Sequence, residues 1–323
     1  MAKVSLIVAI YNTGEYLKPC LDSLIKQTFE DIEIILIDDG SSDGSEEICD
    51  FYAKKDSRVK VIHKKNEGLS MARNSGIRYA TANYIIFIDG DDYIENDMVE
   101  KLYYAIEEND ADIAECGVSW IYKDTNVEEV AEKLIICDNI KSLEYLLNGE
   151  NFLVMACNKI YKKRLFEDIK YPKGCIHEDV GTTYKLIKEA SKLVSIPYIG
   201  YNYVQRGSSI SHMKFEKKHL DAIRFLEEIY ICMKKINSYL SSKSYENLMM
   251  GIIYWYIKAI EDNITNEKSR AILEKKFIDN FKYIKKENIS IKVKIKIKIF
   301  KLNPKLYINL KSILKNKLNM NCR

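Results

Sequence analysis

The chain has 323 residues, of which 47% are hydrophobic and 30% are charged, so it can bury one large core or two smaller ones. Four prolines and 13 glycines are too few for a collagen-like chain or a Pro/Gly-rich disordered one. No apolar run approaches the ~18–20 residues that span a bilayer, and the first ten residues indicate a buried strand rather than a signal peptide. Eight scattered cysteines include no C-x-x-C pair, which argues against a zinc cluster and a disulfide framework and favours a reducing cytosol.

The charge is distributed unevenly along the chain. Residues 282–323 contain thirteen basic residues and one acidic residue, so this segment carries +12 although the whole chain carries only +3. The remaining residues therefore carry −9. An acidic body with a basic tail predicts a site that uses a cation and a separate surface that contacts anions.

The first ninety residues alternate between two kinds of pattern. Apolar runs typical of buried strands cover residues 4–10, 32–37, 59–62 and 84–88. Between them, helical spacing of apolar residues covers residues 17–25, 46–52 and 68–80. This alternation predicts a parallel sheet with helices on both faces, whose ligands bind at the carboxyl ends of the strands.

The middle of the chain continues the same domain with a mixed pattern. A helix is predicted over residues 93–108, with Asp92 as its N-cap. Strands are predicted over residues 113–118 and 198–204, and a helix over residues 180–190.

From about residue 214 the alternation stops. Apolar residues then recur at helical spacing over residues 220–239, 245–260 and 268–284. We therefore expect a helical C-terminal region.

The last residues form a basic tail. Residues 291–299 alternate strictly between Ile or Val and Lys, which predicts a strand with one apolar face and one lysine face. After Asn303 and Pro304, a favourable helix start, an apolar stripe recurs among lysines. It consists of Leu306, Leu310, Ile313, Leu314 and Leu318. The stripe predicts a basic amphipathic helix on an anionic membrane surface, the alternatives being a solvated charged face or a dimer contact.

Two of the predicted strands end in acidic turns. Asp89 and Asp91 flank a glycine after the fourth strand, and two such carboxylates can hold Mg²⁺ or Mn²⁺ beside a diphosphate. Asp38 and Asp39 end the second strand, where a carboxylate can accept hydrogen bonds from a base or a ribose. The alternative for both pairs is an ordinary solvated turn.

Arg73 lies near the start of the helix predicted over residues 68–80. An arginine and the backbone N–H groups at a helix start both favour phosphate. The alternative is a solvated surface charge.

Five sequence blocks occur in order with regular spacing. They are Ser5–Asn12, Gln27–Phe29, Glu33–Ser41, Asn66–Gly76 and Tyr84–Asp92. Together they closely resemble bacterial family 2 glycosyltransferases of the cell-surface polysaccharide type, over about residues 3–211. The resemblance implies the GT-A fold, an α/β Rossmann-like, mostly parallel sheet with helices on both faces, and inversion at the anomeric carbon of a nucleotide sugar.

The resemblance also implies a division of the chain. We expect a GT-A domain over residues 1–212, with a nucleotide-binding half (1–110) and an acceptor half (111–212). A helical region (213–290) and the basic amphipathic tail (291–323) would follow.

The resemblance assigns donor-side roles to several residues. Ala9, Tyr11 and Asp39 would frame the base, with Asp38 as a further candidate. Asp89 would contact the ribose, and Asp91, with Asp89, would hold Mn²⁺ or Mg²⁺. The residues expected near the diphosphate are Arg73, Arg206 and His212, although His212 alternatively reads as a surface histidine.

An inverting transfer also needs a base that deprotonates the acceptor hydroxyl. The family carries a Glu-Asp pair at the position of Glu178 and Asp179. We expect Asp179 to be the base and Glu178 to orient it or the acceptor. The alternative is that both residues only stabilise the start of a helix.

The expected reaction is metal-dependent transfer of a single sugar from a UDP-hexose or UDP-N-acetylhexosamine to a cell-surface glycan, lipid-linked at the inner face of the membrane. The acceptor would be of the capsule, exopolysaccharide, lipooligosaccharide or teichoic acid type. The Q-x-x-R-W block and the multiple spans of processive synthases are absent from the sequence, which favours the addition of one sugar. The expected location is cytoplasmic and peripheral to the membrane, and an oligomer is possible.

Three other functions fit the sequence less well. A sugar nucleotidyltransferase needs a glycine-rich, basic loop after the first strand, whereas residues 11–14 contain one glycine and no cation. An inactive nucleotide-sugar-binding relative is disfavoured because the acidic pairs are intact. A nucleic-acid-binding role for the tail is disfavoured because few aromatic residues interleave its lysines.

Overall fold

The computed structural model describes residues 2–205, 214–262 and 267–310. The chain divides into two compact units, residues 1–211 and residues 212–323.

The first unit begins with four parallel strands. They are β1 (Val4–Ile10), β2 (Ile32–Asp38), β3 (Val59–His63) and β4 (Tyr84–Asp89). The helices between them are α1 (Leu17–Ile25), α2 (Ser45–Lys55) and α3 (Leu69–Tyr79). Every residue of β1 and β2 is buried, as their uninterrupted apolar sequences predict for strands covered on both faces.

The register of these strands brings their carboxyl ends together. Ile10 at the end of β1 pairs with Asp38, and Ala9 pairs with Asp89. The acidic turns that follow β2 and β4 therefore lie on either side of the end of β1, at one edge of the sheet.

The second half of this unit completes a mixed sheet. Its strands are β5 (Tyr93–Ile94), β6 (Ile113–Ile121), β7 (Asn126–Glu129), β8 (Ile135–Asp138), β9 (Lys159–Lys162) and β10 (Lys192–Val204). Its helices are α4 (Met98–Glu108), α5 (Asn139–Asn148) and α6 (Glu178–Glu189). The main strand order is β3-β2-β1-β4-β9-β6-β10-β5, in which β9 is antiparallel to both neighbours and β10 is parallel to β6.

The prediction that Asp92 caps a helix starting at residue 93 is wrong. Tyr93 pairs with Asn202 of β10 instead, and α4 begins only at Met98. The Asp92 carboxylate accepts hydrogen bonds from Tyr201 Oη at 2.7 Å and from the Val204 N–H at 2.8 Å. Asp92 therefore fastens the turn after β4 to β10.

The second unit is helical, as predicted. Its helices are α7 (Leu220–Met233), α8 (Ser238–Glu261), α9 (Glu267–Phe281) and α10 (Ile291–Leu302), and residues 304–310 are also helical. The helix predicted over residues 220–239 is interrupted, because Asn237 caps α8 by accepting the Leu240 N–H at 2.8 Å.

The predicted strand at residues 291–299 is wrong, because this segment forms α10. Alternating Ile and Lys favour a strand only where a neighbouring strand satisfies its backbone groups, whereas a helix satisfies its own. Ile297 and Phe300 are buried, and the Phe300 ring lies 5.2 Å from that of Tyr256 in α8. Ile291 and Ile295 remain exposed. Within the described residues, no helix has the length and apolar character of a membrane span.

Candidate active site

A cavity of about 480 Å³ opens at the edge of the sheet where β1, β2 and β4 end. Strand ends, the start of α3 and the segment before α6 all contribute to its wall. The predicted site residues in this wall are Ala9, Tyr11, Asp39, Asp89, Asp91 and Glu178. Arg206 and His212 lie outside the described residues.

Arg73 joins the two acidic groups of the site. Its side chain is buried, with Nη1 donating to Glu178 Oε1 at 2.7 Å and to Asp179 Oδ1 at 2.8 Å. Nη2 donates to Asp89 Oδ1 at 3.0 Å. The alternative of a solvated surface charge is therefore wrong, and Arg73 holds the turn after β4 and the start of α6 together.

The surroundings of Arg73 keep it charged. Burial alone would lower the pKa of Arg73, but Asp179 and Asp89 raise it well above its ordinary value. The guanidinium lies 5.3 Å from the ring centre of Tyr171, a cation–π distance. Cys157 Sγ donates to Asp89 Oδ2 at 3.3 Å and so helps to orient that carboxylate.

Glu178 and Asp179 occupy the first turn of α6. Burial raises the pKa of Glu178 to about 7, with the nearby Asp179 adding to the rise and Arg73 opposing it. Burial also raises the pKa of Asp179, again opposed by Arg73. Both carboxyl groups therefore have pKa values shifted towards the neutral range, which suits a group that accepts a proton. The side chain of Asp179 is 20% exposed and that of Glu178 is 10% exposed.

The turn after β4 is held against the end of β1. The Gly90 N–H donates to the Ala9 carbonyl at 3.0 Å. A Cβ at Gly90 would stand only 3.1 Å from that carbonyl oxygen and 3.2 Å from Thr13 Cγ2, so glycine permits the close approach. Asp89 and Asp91, on either side of it, both reach the cavity.

The turn fits a hard divalent cation by the chemistry of its donors. Asp89 and Asp91 offer carboxylate oxygens, which Mg²⁺ and Mn²⁺ prefer. Among the residues described, no three His, Cys, Asp or Glu side chains converge as a complete metal site. An ion here would therefore take its remaining ligands from substrate phosphates and water, as Mg²⁺ commonly does.

The two acids that end β2 have local partners. Asp38 Oδ1 accepts the Ser41 N–H at 2.9 Å, and Asp38 Oδ2 lies 2.8 Å from His63 Nδ1, so this carboxylate stabilises the turn. Asp39 accepts the Gly68 N–H at 2.7 Å and the ammonium of Lys64 at 2.6 Å. Asp39 thereby orders the loop before α3, and it lines the cavity as well.

Several residues of the site carry no signal in the sequence. Ser70, in the first turn of α3, is buried in the cavity wall, and its hydroxyl has no hydrogen-bond partner within the described part of the chain. Glu67 forms an ion pair with Lys173 at 2.7 Å and another with Lys64 at 3.2 Å. The pair with Lys173 links the loop before α3 to the segment before α6, whereas the pair with Lys64 lies within that loop. A lone serine or lysine is too common for its spacing to indicate such a role.

The chain matches known sequences over the part that contains Asp39, Arg73, Asp89 and Asp91 of this site. The family model described as Glycosyl transferase family 2 matches residues 5–170. The glycosyltransferase GlyG of Streptococcus pneumoniae serotype 4 is 37% identical over 226 residues, which cover 66% of this chain and 74% of GlyG. Two other curated relatives are longer. The matched region covers 32% of the glycosyltransferase GlyA of Streptococcus pneumoniae serotype 4 and 64% of the uncharacterized glycosyltransferase EpsJ of Bacillus subtilis.

Solved structures share the fold. Staphylococcus aureus TarS 1–349 in complex with UDP-GlcNAc has a TM-score of 0.66 at 20% identity, covering 86% of this chain and 89% of that one. The mannosyltransferase PcManGT from Pyrobaculum calidifontis, in complex with GDP-Man and Mn²⁺, has a TM-score of 0.51 at 13% identity, covering 86% and 74%. The expected GT-A fold is confirmed by these likenesses.

Proposed function

Because the chain belongs to glycosyl transferase family 2, we propose that this glycosyltransferase transfers one sugar from a UDP-sugar to a hydroxyl of a cell-surface glycan and inverts the anomeric carbon. The observation that carries the proposal is Arg73, which binds Asp89 on one side and Glu178 and Asp179 on the other. Arg73 thus joins Asp89, which is proposed to act on the sugar donor, to Glu178 and Asp179, which are proposed to act on the acceptor.

The donor is proposed to be a UDP-hexose or UDP-N-acetylhexosamine. TarS, which shares the fold, binds UDP-GlcNAc. Ala9, Tyr11 and Asp39 line the cavity at the ends of β1 and β2, which supports their assignment to the base. The Ser70 hydroxyl, which has no hydrogen-bond partner among the described residues, could form a further hydrogen bond to the nucleotide.

The diphosphate is proposed to lie against Asp89 and Asp91. These residues would hold Mn²⁺ or Mg²⁺, and the ion, when bound, would neutralise the diphosphate leaving group. PcManGT is a fold neighbour solved with Mn²⁺. Arg73 is committed to three carboxylates, which favours a role in holding Asp89 in place over direct contact with phosphate.

Asp179 is proposed as the base and Glu178 as the residue that orients the acceptor. The acceptor oxygen forms a bond to C1 of the donor sugar while the bond from C1 to the diphosphate oxygen breaks. The hydroxyl proton passes to the carboxylate, and the electron pair leaves with the diphosphate. Arg73 favours the ionised form of Asp179 before this transfer.

The pH dependence of activity follows from the raised pKa values of this pair. Only the ionised base accepts a proton, so kcat/KM should rise with pH through the pKa of Asp179, which burial raises above its ordinary value. Below that pKa, each pH unit should cost about tenfold. A profile at saturating Mn²⁺ checks this, and a rate that falls only below about pH 4, the ordinary pKa of an aspartate, would contradict it.

The reaction and the donor are tested by a panel of UDP-, GDP- and dTDP-sugars, with nucleotide release measured with and without Mn²⁺. We expect metal-dependent release from a UDP-sugar. Asp91→Ala should reduce it by about 10²-fold or more, because the leaving-group charge is no longer neutralised. Asp124→Asn changes an exposed aspartate and serves as the control. Failure of every donor to bind or react would refute the proposal.

The enzyme is also proposed to act on a lipid-linked acceptor at an anionic membrane surface. Ile291, Ile295 and Leu302 of α10 are 77%, 52% and 85% exposed. At 100° per residue they fall within an arc of about 40°. Residues 291–310 carry six lysines and no acid. An outward apolar stripe among lysines is typical of a helix that lies in a membrane interface.

Co-sedimentation with vesicles that contain phosphatidylglycerol tests this attachment. Changing Ile291, Ile295 and Leu302 together to serine should weaken binding at least about tenfold, because three apolar side chains no longer enter the interface. The matched control changes Leu134, Ile231 and Ile278 to serine, since these are also exposed. Equal sedimentation of both variants with the vesicles would exclude α10 as the element that binds the membrane.

A further inference from the structure

A second cavity, of about 660 Å³, lies at the opposite edge of the sheet from the candidate active site. Its wall includes Tyr84 at the start of β4 and Arg78 near the end of α3, whereas Asp89 ends β4. At ~3.3 Å per residue, the length of β4 separates the two cavities by about 20 Å. This second cavity is therefore distinct from the proposed transfer site.

The wall of this cavity is rich in cations. Its charged members are Arg78, Lys162, Lys163, Arg164, Lys170 and one acid, Glu167. Two of the cations are neutralised by neighbours, since Lys162 pairs with Asp110 at 3.3 Å and Arg164 pairs with Asp112 at 2.7 Å.

The other three cations have uncharged partners. Arg78 donates to the Ser75 hydroxyl at 3.2 Å, and Lys163 donates to the Ala80 carbonyl at 2.5 Å. Lys170 donates to the Phe166 carbonyl. Within the described residues, no carboxylate forms an ion pair with these three side chains, so three positive charges share one concave surface.

From this arrangement we propose that the cavity binds a ligand carrying several phosphate charges. Arginine offers a planar fork of N–H donors and lysine a compact charge, and both suit phosphate oxygens. A polyvalent anion would relieve the mutual repulsion of Arg78, Lys163 and Lys170. The cavity also has room for more than a phosphate group, since small-molecule pockets occupy roughly 300–1,000 Å³.

Such phosphates have two possible sources with the same chemistry. One is a soluble phosphate-bearing chain, and the other is the headgroup of an anionic lipid. Tripolyphosphate probes the first source, and vesicles of phosphatidylglycerol probe the second.

The test is calorimetric titration of the full chain with tripolyphosphate in EDTA, beside vesicle binding. The triple variant Arg78→Ala, Lys163→Ala, Lys170→Ala is compared with the control Lys18→Ala, Lys54→Ala, Lys123→Ala, which removes three exposed lysines elsewhere. Both variants keep the basic tail, so its background binding is the same. The double variant Arg78→Ala, Lys170→Ala keeps the bond from Lys163 to Ala80 in case the triple variant misfolds.

We expect the cavity variants to bind at least one of the two probes about tenfold more weakly than the control does. Weakened tripolyphosphate binding alone identifies a soluble phosphate-bearing ligand. Weakened vesicle binding identifies a lipid headgroup. Equal binding of both probes by the cavity variants and the control would overturn the proposal.

Discussion

Replacing Arg73 with alanine is expected to destabilise the first unit by about 3–5 kcal/mol and to lower transfer by at least about 10²-fold. The loss follows because Asp89, Glu178 and Asp179 would face one another without their shared cation. Chemical denaturation measures the first effect, and nucleotide release from the active donor measures the second.

One further variant separates charge from geometry at this position, and a second variant serves as a control. Arg73→Lys keeps the positive charge, but its single ammonium cannot match a fork that reaches both sides of the site, so stability should recover more than activity. Arg78→Ala removes an exposed arginine from the same helix and should change stability by no more than about 0.5 kcal/mol. An Arg73→Ala variant with wild-type stability and rate would show that the cluster is incidental.

Asp179→Asn is expected to lower kcat by about 10²–10⁴-fold while UDP binding persists. Asparagine is nearly the same size as aspartate, but it cannot accept the acceptor proton. The side chain of Asp179 is 20% exposed, and Arg73 favours its charged form, as a base requires. Steady-state kinetics and UDP titration of the same variant separate the two effects.

Glu178→Gln is the informative comparison for the base. We expect it to raise the acceptor KM more than it lowers kcat, because the proposed role of Glu178 is orientation. If Asp179→Asn stays within about tenfold of the wild type while Glu178→Gln loses activity, the two assignments must be exchanged. The raised pKa of Glu178, about 7, makes this outcome chemically reasonable.

The strands and the turns of the nucleotide half follow from local sequence. Residues 4–10 and 32–37 are unbroken apolar runs, and such runs are stable mainly as strands buried on both faces. If these runs form a parallel sheet, Asp89 must lie near the end of β1, so this proximity can be predicted from the sequence alone. The observed pairing of Ala9 with Asp89 agrees with it. Sequence reasoning could therefore locate the edge of the sheet that carries the site.

The hydrogen bonds and ion pairs of the site could not be predicted in the same way. Arg73 is 105 residues from Glu178 and 84 residues from Cys157, and such distant partners leave no pattern along the chain. Asp92 has the local sequence of a helix cap, but its partner Tyr201 lies 109 residues away. Tertiary contacts decided both cases.

The tail shows how a periodic pattern can mislead. Alternating Ile and Lys fit a strand, but a strand needs a neighbour, whereas α10 needs only an apolar surface for Ile297 and Phe300. Packing against α8 and α9 supplies that surface, since the Phe300 ring lies 4.9 Å from that of Phe277.

Calorimetric titration of UDP into the wild type and into Asp91→Ala, with and without Mn²⁺, decides whether the turn after β4 forms a metal-assisted UDP-sugar site. We expect one UDP per chain, bound much more tightly with Mn²⁺, and loss of that metal dependence in Asp91→Ala. UDP that binds equally well with and without Mn²⁺, or that does not bind, would contradict a metal-assisted UDP-sugar site at the end of β4.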